Sequence, residues 1–341
     1  MEDIRFILQA FHVIPTDIVR VTDRLYKIHT PTDTFALKRS RLHPQSLSNW
    51  RSAYQNANKY RFDSIVPVYL TNDGEIYLEF QQDFYYLSPW IEQVASDEPK
   101  HDIEAFYHEI SYIHQQTKQE RKLPDNFLEQ SVLKEKENVF SGQAQLLESV
   151  ETFEQRRYMS PFELQVCTHY RDLLRVYQSL DEWYELYLED ESKSDSANVC
   201  LCHGNLRSSH IINRNSKAYF VNWEHSFHGS PMHDLALFYY QDFQYHDSLV
   251  DELIQSFYVY EKRYPLLQSE RSLLAIYLLN PQPYLNVVND YQQRTTRKSQ
   301  PFQLRSLEQS YRRLMNGLNM QEFLRERREE IIEQEEMAEE D

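Results

Sequence analysis

Glycine is scarce in this chain: 341 residues hold five, at positions 74, 142, 204, 229 and 317. None precedes Gly74, so the N-terminal region has no glycine-rich loop whose bare backbone could lie against phosphates. Cysteine is scarcer still. Cys167, Cys200 and Cys202 cannot build a disulfide framework, and the C-x-C spacing of the last two is too tight for a redox C-x-x-C pair. Cys200 and Cys202 therefore read as buried thiols beside a strand. No apolar run approaches the roughly 18–20 residues that a membrane span requires, so no membrane insertion is expected. Basic charge is in deficit: 36 Lys and Arg against 53 Asp and Glu give a formal charge of −17. Such a chain repels nucleic-acid phosphates, which excludes a general nucleic-acid binder. Residues 1–5 carry acids where a secretory signal carries bases, which predicts synthesis in the cytoplasm.

What is present is a globular composition, 41 % hydrophobic and 14 % aromatic. The first ninety or so residues read as α+β: a short helix over 4–11, then strands over 18–21, 25–29 and 35–38. Over 44–61 the apolar residues Leu47, Trp50, Tyr54, Ala57 and Tyr60 recur at spacings of three and four, which predicts a helix. An edge strand is expected over 65–70 despite Pro67, then a hairpin turn at Asn72-Asp73-Gly74, and strands over 75–80 and 84–91. From Ile103 onward the pattern is mainly helical. Ser160-Pro161 caps a long amphipathic helix over 162–187, and 189–198 reads as a polar loop. Short strands over 199–202 and 218–221 bracket a loop, and helices return over 235–328. Eight acids and no base lie between Glu329 and Asp341, which predicts a helix end running into a solvated tail. The expected division is 1–92, 93–320 and an acidic tail over 321–341.

Three segments carry the chemistry: His203-Gly204-Asn205-Leu206-Arg207-Ser208-Ser209-His210, then Val221-Asn222-Trp223-Glu224, then Pro231-Met232-His233-Asp234-Leu235-Ala236. In order and spacing they resemble the aminoglycoside phosphotransferase and choline kinase-like superfamily, with its H-G-D-x-x-x-x-N loop, D-[WF]-E/D strand end and P-x-x-D-L-A stretch. The resemblance implies a protein-kinase-like, two-lobed fold: a small antiparallel-sheet lobe and a larger, mainly helical lobe. Ser160-Pro161-Phe162-Glu163, the tyrosine-rich helices and the stretch from Tyr86 to Glu92 resemble the spore-coat-associated branch of that superfamily, from endospore-forming bacteria. That finer resemblance implies a place in the spore coat, with other coat proteins as partners.

The departures from the motif matter as much as the match. In phosphoryl transfer of this kind an Asp takes the proton of the attacking hydroxyl, while an Asn and a second Asp hold Mg²⁺ on the phosphates. Here the base position is Asn205, whose amide has no useful basicity. The metal positions are His210, an imidazole that suits transition metals better than Mg²⁺, and Asn222, a neutral amide. Lys38 matches the strand lysine that contacts nucleotide phosphates, yet residues 41–62 contain no acid to pair with it. His203 and Asp234 match scaffold positions that shape and brace the loop. These changes predict a catalytically inactive pseudokinase with no cofactor. Two alternatives stay open: an active phosphotransferase using ATP and Mg²⁺, with Glu224 as substitute metal ligand, and a sensor that binds a nucleotide or metabolite without chemistry. The histidines 203, 210, 225, 228 and 233 fit no standard zinc spacing. Arg294, Arg297, Lys298 and Arg305 form a basic cluster.

Overall fold

The structure, a computed structural model, describes residues 2–42, 46–94, 96–122, 127–193, 196–295 and 299–340, with the backbone alone at 127–129 and 339–340. They fall into two compact units, Met1–Lys118 with Cys200–Gly229, and Gln119–Val199 with Ser230–Asp341. The second therefore interrupts the first in sequence.

The first unit is built on a five-stranded antiparallel sheet of β1 (Asp17–Arg20), β2 (Leu25–His29), β3 (Thr34–Ser40), β4 (Leu78–Phe80) and β5 (Asp83–Pro89), in the order β1-β2-β3-β5-β4. Residues on successive positions of β3 point to opposite faces. Leu37 therefore joins Ile28, Tyr85 and Leu87 in the core, sealed by Ile4, Ile7, Leu8 and Phe11 on and beside α1 (Glu2–Gln9). Lys38 and Tyr86, paired in the register of β3 and β5, lie on the other face. Helix α2 (Leu47–Tyr60) buries Trp50, Ala53 and Tyr54, and the Trp50 ring meets those of Tyr77 and Tyr86. Pro44 lies outside the described residues. The strand expected over 65–70 does not form. Only isolated bridges at Ile65 and Tyr69 survive, because Pro67 lacks the N–H that a continuous ladder needs. The Asn72-Asp73-Gly74 turn is present, with Gly74 at φ +78°.

The same unit holds α3 (Pro99–Thr117), the last residues of β7 (Ser196–Cys202), the hairpin of β8 (Ile211–Arg214) with β9 (Lys217–Phe220), and β10 (Phe227–Gly229). Cys200, Cys202 and Leu201 are fully buried where β7 pairs β10, and neither thiol forms a disulfide.

The second unit is helical, apart from β6 (Gln119–Lys122) paired with the start of β7. Its helices are α4 (Phe127–Glu154), α5 (Pro161–Ser192), α6 (Pro231–Asp242), α7 (Val250–Gln255), α8 (Phe257–Arg263), α9 (Gln268–Leu278), α10 (Gln282–Gln293) and α11 (Gln300–Glu340). The Ser160 hydroxyl accepts from the Glu163 N–H while the Glu163 carboxylate accepts from the Ser160 N–H, a capping box that starts α5. α5 packs on α4 and α9 and buries Trp183, whose Nε1 donates to Gln321 on α11 at 2.7 Å. Where a tail was expected, α11 continues to Glu340, anchored upstream by buried Leu324 and by Arg328. Arg297 and Lys298 of the basic cluster lie outside the described residues, as does the acid at 341. Among the described residues no helix is long and apolar enough to cross a membrane.

Candidate functional site

The residues singled out at the Lys38 strand and the histidine loop converge within the first unit; Asp234 belongs to the second. The loop after β7 turns at Gly204, with φ +74°. A Cβ there would stand 2.0 Å from the His225 carbonyl oxygen, so any other residue is excluded by contact as well as by torsion.

Two neutral imidazoles then fix the loop's shape. His203 is fully buried. Its Nε2 lies 2.8 Å from the Val221 carbonyl, which only accepts, so Nε2 carries the proton; Nδ1 accepts from the Asn205 N–H at 3.2 Å. His210 has the opposite tautomer. Its Nδ1 donates to the Asn205 carbonyl at 2.8 Å, and its Nε2 accepts from Arg207 Nε at 3.1 Å. Burial, then the neighbouring His203 and Arg207, push the His210 pKa down to about 3. Both lone-pair and proton positions of this ring are therefore engaged at neutral pH, and no nitrogen is left to bind a metal without breaking the clasp.

Asn222 follows β9 with φ +71° and ψ +49°, a left-handed conformation that asparagine tolerates better than most residues. Its side-chain oxygen accepts from the Lys38 ammonium and lies 3.3 Å from the Tyr86 hydroxyl. Two residues on, Glu224 is 3 % exposed. Its Oε1 meets Lys38 Nζ at 2.9 Å and accepts from the Tyr86 hydroxyl, also at 2.9 Å. Burial raises the Glu224 pKa, but the Lys38 charge and hydrogen bond outweigh that and hold it below the ordinary carboxylate value. The Lys38 pKa is lowered by burial, assisted by Arg207 and Arg24, against the attraction of Glu224. The acid missing from the helix after Lys38 is thus supplied from the far end of β9.

The Lys38 face opens on two cavities. One, of about 530 Å³, is bounded by Leu25, Ala36, Val66, Tyr86, Trp90 and Ile91 among others, with Lys38, Arg24, Arg207 and His210 at one end. Those same four residues line a second cavity of about 210 Å³, with Asn205 and Glu224. Asp234 is fully buried in the first turn of α6. His225 and His233 are exposed and His228 half-buried. Sequence reasoning quoted Tyr86 and Arg207 within motifs without giving them a part in the site, and did not single out Arg24. The signal for Arg24 was its place in the β1–β2 turn, where a phosphate-binding loop carries glycines.

A lysine on the third strand of a small antiparallel sheet, facing a histidine loop and a strand-end Asn-x-Glu, defines the kinase-like class of fold. The chain belongs to the phosphotransferase enzyme family, whose model matches residues 20–266. No curated protein matches. Among solved structures, it is similar to an aminoglycoside phosphotransferase from Alicyclobacillus acidocaldarius, with a TM-score of 0.74 at 14 % identity over 96 % of each chain. A spectinomycin phosphotransferase in complex with AMP has a TM-score of 0.59 at 9 % identity, covering 93 % of this chain and 97 % of that one. An amicoumacin kinase in complex with AMP-PNP and Ca²⁺ has a TM-score of 0.53 at 14 % identity, covering 91 % and 93 %. At these identities the likeness is one of fold.

The Mg²⁺ that such folds hold in phosphoryl transfer fits poorly to the residues present. Mg²⁺ takes oxygen ligands, carboxylates above all. Here the motif positions offer an imidazole already bonded on both nitrogens and an amide oxygen already accepting from an ammonium.

Proposed function

We propose that this chain is a catalytically inactive, kinase-like member of the phosphotransferase family that serves as a structural or scaffolding component of the bacterial spore coat. The observation that carries the inactive reading is that no free carboxylate stands at the loop among the described residues. Asn205 cannot take a proton from an attacking hydroxyl, and the one acid lining the smaller cavity, Glu224, is closed against Lys38 and Tyr86. Both contacts fall on the same carboxylate oxygen, and a metal brought to Glu224 would have to compete with the Lys38 ammonium for it. The coat assignment is supported by the likeness of the Tyr86–Glu92 segment and of Ser160-Pro161-Phe162-Glu163 to the spore-coat branch.

The test is a sensitive assay of ATP consumption with Mg²⁺ present, run beside thermal unfolding with and without Mg-ATP. The wild type should consume no ATP and should gain no Mg²⁺-dependent stability. The triple substitution Asn205→Asp/His210→Asn/Asn222→Asp should gain it. Turnover by the wild type above the level of a Lys38→Ala control would overturn the inactive reading. Fractionation of spores should place the protein with the coat; recovery only from the cytoplasm would remove the coat assignment.

A further inference from the structure

The smaller cavity differs in electrostatic sign from a site built for metal-assisted transfer. Arg24, Lys38 and Arg207 line it, and among the described residues the only acid in its lining is Glu224. Arg39 and Arg41 border it as well and share the single carboxylate of Asp83, at 3.8 and 3.9 Å, which offsets one of their two charges. Glu224 neutralises Lys38 alone. Arg24 and Arg207 are left facing the cavity with no carboxylate within ion-pair distance among the described residues.

Arg207 is held by its surroundings, while Arg24 is placed by its turn and keeps an exposed side chain. Arg207 uses Nε to donate to His210, which leaves its two terminal nitrogens for a ligand. Burial holds His210 neutral, so the imidazole orients that guanidinium without repelling it. Arg24 sits in the turn between β1 and β2, whose neighbouring acid, Asp23, is bound by Arg20 at 2.5 Å. A guanidinium presents paired donors that match the oxygens of a phosphate. Arg24 thus stands where backbone N–H groups of a glycine-rich loop would meet phosphates, and Arg207 stands beside the positions that would have held Mg²⁺.

We propose that this cavity is a phosphate-binding site that works without a divalent metal, with Arg24 and Arg207 supplying the positive charge that carboxylate-bound Mg²⁺ supplies in metal-dependent phosphoryl transfer. The site rests on the inactive reading, since the same substitutions that remove the metal positions leave the two arginines unopposed. The phosphate is either a free anion or the end group of a small organic ester reaching in from the adjoining cavity.

The experiment measures thermal unfolding and calorimetric binding of the full chain in EDTA, with inorganic pyrophosphate and with ADP as separate probes. At least one probe should stabilise the protein in EDTA, and added Mg²⁺ should not strengthen the effect. Binding of both assigns the site to phosphate as such; binding of ADP alone assigns it to an ester. Arg24→Gln should weaken binding about tenfold, and Arg207→Gln by at least as much. Arg24 is exposed and outside the loop's hydrogen bonds, so its variant tests the site without disturbing the fold. No stabilisation by either probe in EDTA, stabilisation only when Mg²⁺ is added, or undiminished binding by the Arg24→Gln/Arg207→Gln variant would each overturn the proposal. ATP turnover, measured with Mg²⁺, would overturn the inactive reading and leave the EDTA result standing. Absence of both turnover and binding would remove this site alone.

Discussion

The two units treat buried charge in opposite ways. In the helical unit, Arg328 makes a two-pronged contact with Asp190, both Nη atoms at 2.7 Å from the carboxylate, with Ser272 beside them. Arg271 pairs with Glu261, and Glu163 accepts from Arg156, Tyr291 and the cap of α5. The Arg328 and Arg271 pairs meet inside packed helices, and Glu163 is buried although Arg156 reaches it from the surface. In the sheet-bearing unit, Lys38, Glu224, Tyr86 and Asn222 also interlock, but on the wall of a cavity, with two further arginines that no acid among the described residues answers. A closed network fixes a fold; an open one with excess charge of one sign leaves something for a ligand to complete.

The contrast can be broken most decisively in the helices. Arg328→Ala leaves Asp190 buried without its partner and should cost about 3–5 kcal/mol in urea unfolding. A loss below about 1 kcal/mol would mean that the helical network is no tighter than a surface pair. Glu224→Gln should cost less, about 2 kcal/mol, because the Lys38 it releases is 22 % exposed and can turn to the water of the cavity. Were Glu224→Gln the costlier change, the cleft would be as closed as the helices.

Acid should weaken both units by one mechanism. His210 is held down to about 3 and His169 to about 4, in each case chiefly by burial. The unfolded chain takes up these protons near pH 6.5 and the folded chain does not. Stability from each is therefore complete above about pH 6.5 and declines as pH falls toward the folded value, by at most about 1.4 kcal/mol per pH unit for each group. Melting temperatures from pH 7 to pH 4 should fall, and His210→Asn should flatten the decline. An unchanged slope would show that the Arg207–His210–Asn205 clasp is not the acid-sensitive element. The smallest effect is expected at Arg20–Asp23. The side chains are 61 % and 88 % exposed, so Asp23→Asn should change stability by less than about 0.5 kcal/mol while leaving phosphate binding in place.

Much of the architecture was legible because local patterns and tertiary packing agree. The strand over 25–29 and the long helix over 162–187 are read from periodicity and from the Ser160-Pro161 cap, and both are present, the helix as Pro161–Ser192. The segment over 65–70 misled because its apolar residues suggest a strand while Pro67 denies it a ladder. In the site, sequence located Lys38, His210, Asn222 and Glu224 but not their pairing. Lys38 and Glu224 are brought together by β3 and the end of β9, a closure that no local spacing encodes. His210 read as a metal position because it falls where the motif places its Asn; the hydrogen bond from Arg207 turns the same imidazole into a brace. Residues 41–62 hold no acid, and the acid that meets Lys38 comes from another segment, at Glu224.

Helix α11 extends this theme of charge to the end of the chain. Its 41 residues correspond to about 60 Å of helix, with Leu324 and Arg328 its last buried residues. The backbone dipole makes the C-terminal end of a helix negative, yet seven carboxylates and no cation occupy residues 329–340. The final turns are therefore wound against their own electrostatics, and added salt, which screens that repulsion, would tighten them. The end of this helix gains from ionic strength, while the exposed ion pairs elsewhere in the molecule lose by it.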